Sequence, residues 1–295
     1  LAAGHVAGFI DEDGQFVALE NVPIDDSFEM ITSDYQGNMW FASSRFGVMK
    51  IMTNNLLNYS SVAGIPDQVV NATCLDEGLL YMGTDDGLYI IDTEDTTVVE
   101  NEITEYLAGQ RIRDIFLDSS ENIWFSTFTS DMGLVCLKPN GDIISLTTSN
   151  GMPHNRVRCC TELPDGSIAA ATNDGIAIIE NYTVTDVCDD ADGLENTVIL
   201  TVCADTDGTI YAGTDGDGIY VIRDGMVNHL SSSNGLTSDV VMRIRRDDER
   251  GLFWVVTSNS IEYMINGVLT NVESFPYNNN FEVGPDNRNN LWVLS

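Results

Sequence analysis

A segment of about 42 residues recurs along the whole chain, and this repeat restricts the possible folds more than any other sequence feature. Each copy contains an apolar run, a turn of Asp, Asn or Gly residues, a second run that starts near an aromatic residue, and two further runs. A Gly precedes the third run, as at Gly87, Gly175 and Gly218. Short runs separated by turn residues predict β-strands joined by hairpins. The marker positions of the second run are Trp40, Tyr81, Trp124, Ala169, Tyr211, Trp254 and Trp292.

Four antiparallel strands per repeat are typical of one blade of a β-propeller. The sequence therefore predicts an all-β fold: a single domain over residues 1–295 that forms a seven-bladed β-propeller of four-stranded antiparallel blades. Six full blades are expected at residues 28–67, 68–109, 110–154, 155–196, 197–239 and 240–279. Residues 1–27 are expected to supply the outer strands of a shared closing blade, and residues 280–295 its inner strands.

The two ends of the chain predict how the ring closes. Residues 5–10 and 15–19, starting at His5, resemble a third and a fourth strand around the turn at 11–14, whereas the last repeat stops after its second strand. We therefore expect residues 5–10 to pair with residues 290–294. Such pairing would remove the exposed sheet edges that an open stack of blades would leave.

A second motif, N/D-G-L/M-x-x-N/D-x-V, lies between the predicted blades. Its copies are at residues 63–69, 150–157, 192–198 and 234–241. Gly allows the positive φ of a tight turn, and Asn or Asp can bond to local backbone. We expect the Leu or Met to pack between neighbouring blades, so the motif is interpreted as architecture.

This motif is followed by D-x-x-G-x-I-W/Y-x-G-T, and the combination resembles the two-component regulator propeller repeat over essentially the whole chain. In that family the repeats form the extracytoplasmic sensor region of membrane signalling proteins, often hybrid histidine kinases and sometimes diguanylate cyclases. Characterised members respond to oligosaccharides and signal as dimers. Family members often carry two propellers and a β-sandwich domain, so which output domain follows stays open.

The resemblance implies a non-enzymatic sensor domain without a cofactor, in a membrane-anchored protein with its output enzyme outside this chain. The implied partners are a small polar ligand or oligosaccharide and a second copy in a homodimer. The net charge of −33 argues against a general affinity for nucleic acid or an anionic membrane. No stretch reaches the roughly 20 apolar residues of a membrane helix, so no membrane insertion is expected within the chain. The start, Leu1 to Gly4, is neither an initiator Met nor a signal peptide, and we expect an excised or processed domain.

Two other functions stay open. Residues 122–127 match the repeat of the streptogramin lyase propellers, which use metal-assisted acid–base chemistry with a His on the top face. The chain has only three histidines, His5, His154 and His229, and this scarcity argues against a lyase. We therefore predict no catalytic residue. Propellers also serve as protein-interaction platforms, which an exposed apolar patch would indicate.

Metal binding is not expected. The Asp-rich turns at residues 189–195, 205–208 and 215–218 lack the spacing of a calcium loop, and they recur where hairpin turns are predicted. The six cysteines contain no C-x-x-C pair, which favours buried thiols over a zinc site.

The basic residues are the candidate site. Seven of the thirteen Lys and Arg residues fall at the starts of predicted innermost strands, which line the central channel of a propeller: Arg111, Arg113, Arg156, Arg158, Arg243, Arg245 and Arg246. Arg binds carboxylates and sugar hydroxyls with planar donors. The alternative is that these arginines hold blades together by pairing with Asp114, Glu162, Asp247 and Asp248. The predicted ligand-binding residues are Arg111, Arg113, Arg156, Arg158, Arg243, Arg245 and His154.

Overall fold

The computed structural model describes residues 2–3, 6–10, 14–18, 28–35, 38–45, 47–51, 58–272, 282–286, 288 and 290–294. His5 and residues 11–13 and 19 of the predicted N-terminal hairpin lie outside the described residues. The chain divides into two compact units, residues 1–62 and residues 63–295.

The first unit contains two three-stranded antiparallel sheets and one short helix. The predicted hairpin near the N-terminus is present, with Gly8 opposite Ala18. The first sheet is β1 (Ala2–Ala3), β2 (Val6–Ile10) and β3 (Phe16–Ala18); the second is β4 (Phe28–Ser33), β5 (Met39–Ser43) and β6 (Gly47–Ile51); α1 (Tyr59–Val62) follows.

The second unit contains five four-stranded antiparallel sheets and a final two-stranded sheet. The first sheet is β7 (Val70–Asp76), β8 (Leu79–Thr84), β9 (Leu88–Asp92) and β10 (Val98–Val99), followed by α2 (Glu102–Tyr106). The next two are β11 (Ile112–Leu117), β12 (Ile123–Thr127), β13 (Leu134–Leu137) and β14 (Ile143–Leu146), then β15 (Val157–Glu162), β16 (Ile168–Thr172), β17 (Gly175–Glu180) and β18 (Thr183–Cys188). The last three are β19 (Ile199–Ala204), β20 (Ile210–Thr214), β21 (Ile219–Arg223) and β22 (Met226–Leu230), then β23 (Val241–Asp247), β24 (Leu252–Thr257), β25 (Ile261–Ile265) and β26 (Val268–Asn271), then β27 (Glu282–Pro285) and β28 (Leu291–Leu294).

The cores of the second unit lie between neighbouring sheets. One cluster joins Trp124 to Val157, and the next joins Ile176 to Ile199. The first strands of successive sheets, β7, β11, β15, β19 and β23, lie next to one another. The predicted all-β fold of antiparallel four-stranded sheets is therefore confirmed. The count of seven blades, the blade boundaries and the pairing of residues 5–10 with residues 290–294 stay predictions.

The motif between sheets is architectural, as the sequence predicts. Its Met152, Leu194 and Leu236 side chains are buried in the clusters between sheets. Gly193 has a φ of 107°, which permits the turn before Leu194. Asn155 donates from Nδ2 to the carbonyl oxygen of Ser130 at 2.7 Å, which ties the connection to the preceding sheet.

A buried threonine ends the second strand of each four-stranded sheet and closes the turn to the third strand. Thr127 donates from Oγ1 to the carbonyl oxygen of Gly133 at 2.7 Å, and Thr214 does so to Gly218 at 2.9 Å. This turn holds the residue after the threonine near the start of the first strand: Phe128 donates its backbone N–H to the carbonyl oxygen of Arg111 at 2.7 Å. The repeat therefore places one residue per four-stranded sheet near the start of its first strand, the end that we call the channel mouth.

Candidate ligand site at the channel mouth

β-Bulges present two of the predicted arginines. The register of β11 shifts between Ile112 and Asp114, and that of β15 shifts between Val157 and Cys159, so Arg113 and Arg158 are the bulged residues. A bulge leaves its extra residue outside the ladder and changes the direction of its side chain. In a regular strand Arg111 and Arg113 would share a face, as would Arg156 and Arg158, and the bulges interrupt this alternation. The same shift in β7, β19 and β23 places Asn71, Leu200 and Met242 at the bulge.

Phe128 is the centre of an arginine cluster. It follows β12 directly and forms an isolated bridge with Arg156. Four guanidinium carbons lie over its ring, a geometry in which a cation is attracted to the ring face. Their distances from the ring centroid are 5.9 Å for Arg111, 5.8 Å for Arg113, 5.5 Å for Arg156 and 4.4 Å for Arg158. We call these four residues and Phe128 the arginine cluster.

The arginine cluster is only partly neutralised. Arg111 Nε lies 2.9 Å from Asp85 Oδ1, and Arg158 Nε donates to Asn173 Oδ1 at 3.0 Å. Among the residues that the structure describes, no carboxylate lies within ion-pair distance of Arg113 or Arg156. Within the described part of the chain, Arg113 and Arg156 therefore have charge and donors available to a ligand.

The lowered pKa values of Arg113 and Arg158 show that their charged forms are disfavoured in the ligand-free site. Burial lowers the pKa of Arg113, and the positive charges of Arg111 and Arg243 lower it further. Burial also lowers the pKa of Arg158, and Arg113 adds to this effect. Desolvation and mutual repulsion therefore act against the charged form at this site, and a bound anion would relieve both.

Arg243 and Arg245 differ from the arginine cluster because they share a carboxylate partner. Their Nε atoms lie 2.8 Å and 3.3 Å from the carboxylate oxygens of Glu282 in β27. Burial alone would raise the pKa of Glu282, but Arg245 and Arg243 lower it overall. The blade-bridging alternative thus applies to these two arginines, with a partner that the sequence did not predict.

The acidic partners named for that alternative mostly bind elsewhere. Asp248 does pair with Arg246, at 2.8 Å. Asp247 pairs with Arg250 instead, and Glu162 accepts a hydrogen bond from the backbone N–H of Ser119 at 2.9 Å. None of these carboxylates neutralises the arginine cluster.

Below the mouth, β11, β15, β19 and β23 enclose a channel cavity of about 220 Å³. Arg113, Arg158, Arg243 and Arg245 line it together with Asp114. Asp114 accepts a hydrogen bond on Oδ2 from the backbone N–H of Cys160 at 3.4 Å, and burial raises the pKa of its carboxyl. This cavity is smaller than the roughly 300 Å³ at which drug-sized ligand sites begin. A ligand can therefore place only an end group inside it.

The two described histidines make structural contacts. His154 Nδ1 accepts a hydrogen bond from the backbone N–H of Arg156 at 2.8 Å, which fixes the turn before β15. His229 lies on the outermost strand β22, with Nε2 hydrogen-bonded to the carbonyl oxygen of Asp217. Neither residue lines the channel cavity.

The aspartates of the hairpin turns accept hydrogen bonds from donors in the same hairpins. Asp118 accepts a hydrogen bond from Trp124 Nε1 at 2.7 Å, and Asp247 accepts one from Trp254 Nε1 at 2.9 Å. Asp207 accepts one from the backbone N–H of Thr209 at 3.0 Å. Within the described part of the chain, no group of three or more His, Cys, Asp or Glu side chains is arranged to hold a metal ion.

Sequence reasoning missed Phe128. The residue after the strand-ending threonine is Asp85, Asn173, Asp215 or Ser258 in the other four-stranded sheets. Phe128 is the aromatic exception in this polar series, and aligning the repeats on their threonines would have revealed it. Its role as the common neighbour of four arginines depends on the interblade geometry, which the alignment does not give.

The repulsion within the cluster predicts the effect of removing one charge. We expect Arg113→Gln to raise the free energy of unfolding of the ligand-free protein by about 0.5 kcal/mol at low salt, because like charges held close together are destabilising. Urea unfolding at low and high salt measures this, and the gain should shrink as salt screens the charges. Arg223→Gln is the control, because Arg223 pairs with Asp207 at 2.6 Å and its loss should not stabilise the protein. A clear loss of stability in Arg113→Gln would instead mean that Arg113 holds blades together.

Solved structures share this fold. The chain is similar to the extracellular domain of the hybrid two component system BT3049 from B. thetaiotaomicron, with a TM-score of 0.72 and 19% identity over 96% of this chain and 40% of that one. It is also similar to PorZ of the type-IX secretion system of Porphyromonas gingivalis, with a TM-score of 0.59 and 15% identity over 98% of this chain and 48% of that one. A streptogramin B lyase has a TM-score of 0.58 and 14% identity, covering 92% of both chains.

These likenesses confirm the resemblance in fold to the propellers of two-component regulators. The chain spans less than half the length of the BT3049 domain and of PorZ. No protein-family model and no curated protein matches the sequence. No helix among the described residues has the length and apolar character needed to cross a bilayer.

Proposed function

We propose that this chain is a ligand-sensing propeller domain that binds a small polar or anionic ligand, such as an oligosaccharide, at the channel mouth. The observation that carries this proposal is the arginine cluster, in which Arg113 and Arg156 have no carboxylate partner among the described residues. Such free planar donors at the mouth of a small channel suit carboxylate, sulfate or hydroxyl groups. Arg111 and Arg158 would complete the site, with His154 supporting the turn that carries Arg156.

The wider setting follows from the repeat and the fold likeness. We infer an extracytoplasmic domain of a membrane-anchored signalling protein, a sensor kinase or a diguanylate cyclase, that works as a homodimer and passes ligand occupancy to an output domain outside this chain. The similarity to the extracellular domain of BT3049 supports this setting. Within the domain, we propose seven blades and a ring closed by pairing of the two chain ends.

The lyase alternative has weaker support. The streptogramin B lyase likeness concerns the scaffold, and fold alone does not carry function. The cations described at the channel mouth of this chain are guanidiniums, and His154 is engaged by backbone. These groups suit holding a ligand rather than moving a proton at neutral pH.

A thermal-shift screen of neutral and acidic oligosaccharides tests the proposal, because a ligand that binds the folded state raises the melting temperature by mass action. We expect a hit whose shift is abolished in the double variant Arg113→Ala/Arg158→Ala while its circular dichroism stays unchanged. Arg223→Ala, on strand β21 away from the channel, is the matched control and should keep the shift. A hit of equal size in the double variant would place the site elsewhere. A negative result over a broad glycan panel would favour a protein partner.

A further inference from the structure

We propose that the channel mouth is selective for an anionic end group, a carboxylate, sulfate or phosphate, and rejects the neutral counterpart of the same ligand. This inference rests on the proposed function and names the ligand chemistry of the same site. The shared chemistry is an oxyanion on a small polar body. Three features of the described residues support it: the local charge, the size of the channel, and the difference between the two sides of the mouth.

The local charge opposes that of the chain as a whole. The sequence carries 46 acidic against 13 Lys and Arg residues, yet four guanidiniums share one phenyl ring. Among the described residues, Asp85 lies beside Arg111 and acts on Arg113, and Asp215 acts on Arg158. Two carboxylates do not neutralise four cations, so a positive excess stays at the mouth. A neutral sugar would leave this excess in place, whereas an oxyanion would accept charge-assisted hydrogen bonds from it.

Four other arginines of the second unit, all on or just after β23, each have a carboxylate partner. Arg243 and Arg245 share Glu282, Arg246 has Asp248, and Arg250 has Asp247. Each of these pairs lies at or below 3.3 Å. Arg113 and Arg156 depart from this pattern in the described structure, although the chain has many carboxylates available. The missing partner is therefore supplied best by a ligand.

The channel size limits how the ligand is bound. The cavity of about 220 Å³ admits an end group but not the body of a larger ligand. Arg113 lines this cavity and also belongs to the arginine cluster. An oxyanion is therefore expected to bind at the level of Arg113, Arg156 and Phe128, with the rest of the ligand outside.

At the positions equivalent to the four arginines, the neighbouring β19 and β23 sheets carry apolar residues. Val198 and Val240 accept the same backbone hydrogen bonds as Arg111 and Arg156 do in their sheets. At the bulge positions, Leu200 and Met242 replace Arg113 and Arg158. The arginine cluster thus lies in the β11 and β15 sector, whereas the arginines of β23 are paired with Glu282 and Asp248. This asymmetry would orient a ligand with its charged end over Phe128 and its uncharged part toward the β19 and β23 sector.

The test uses one hexose body with four end groups: glucose, glucuronate, glucose 6-sulfate and glucose 6-phosphate, at equal concentration and constant ionic strength. We expect each anionic hexose, but not glucose, to raise the melting temperature of the full chain. Arg113→Gln and Arg156→Gln should each weaken the anion at least about tenfold, because each removes a charge-assisted hydrogen bond. Phe128→Leu should weaken it about threefold or more through loss of the ring that orients the guanidiniums. Arg223→Gln, which removes an outer arginine, should leave the affinity unchanged.

The outcomes separate this inference from the proposed function. The order of the three anionic hexoses identifies whether carboxylate, sulfate or phosphate is preferred. If a neutral oligosaccharide binds and is lost in Arg113→Ala/Arg158→Ala, while no anionic hexose binds, the sensor site stands and the anion selectivity is wrong. If the anionic hexoses bind equally to the wild type and to Arg156→Gln, the site is wrong. Failure of both ligand sets overturns both proposals.

Discussion

Replacing Gly218 with alanine is expected to destabilise the protein by about 3 to 4 kcal/mol. Gly218 has a φ of 72°, and a Cβ at this position would overlap the backbone carbonyl oxygen of Leu230. Gly218 cannot shift freely, because its N–H donates to the backbone carbonyl oxygen of Asp239 at 2.7 Å and its own carbonyl oxygen accepts from the Thr214 N–H at 2.9 Å. Urea or thermal unfolding measures the loss.

Gly225 provides a control with almost the same backbone conformation. Its φ is 71°, and a Cβ there would meet no atom within 4 Å. Gly225→Ala should therefore cost only the left-handed backbone penalty of about 1 to 2 kcal/mol. The difference between the two variants isolates the close approach of the third strand to the end of the fourth. Equal losses in both variants would show that the positive φ alone explains the glycine before the third run.

The sequence repeat accounts for the part of the fold that could be predicted. An apolar run, a turn and a glycine recur at fixed spacing, and each copy forms a hairpin because its turn residues favour it. The buried Leu194 and Met152 were predictable for the same reason, since an apolar residue beside a turn glycine has to pack locally. The helix α2 was missed because residues 102–106 replace the linking motif in one connection without a repeat to reveal it.

The candidate site was predictable in part. The recurrence of Arg pairs at equivalent positions marked Arg111, Arg113, Arg156 and Arg158, and the structure brings these four together around Phe128. The β-bulges that present Arg113 and Arg158 are absent from the sequence pattern, because a bulge depends on the partner strand. The pairing of Arg243 with Glu282 joins residues 39 positions apart, which no local pattern contains.

Removing the carboxylate of Asp118 is the other change with a large expected effect, because its oxygens satisfy donors that have no access to water. Asp118 is 8% exposed and accepts from Trp124 Nε1 at 2.7 Å and from the backbone N–H of Asn122 at 2.9 Å. Asp118→Ala leaves these buried donors unsatisfied, and we expect a loss of about 3 to 4 kcal/mol in denaturant unfolding. Asp131→Ala, at an exposed aspartate of the same sheet, should change stability by less than about 0.5 kcal/mol.

If the hairpin aspartates instead held calcium, EDTA would lower the melting temperature of the wild type. We expect no such change, because the oxygens of Asp118 already accept hydrogen bonds from Trp124 and Asn122.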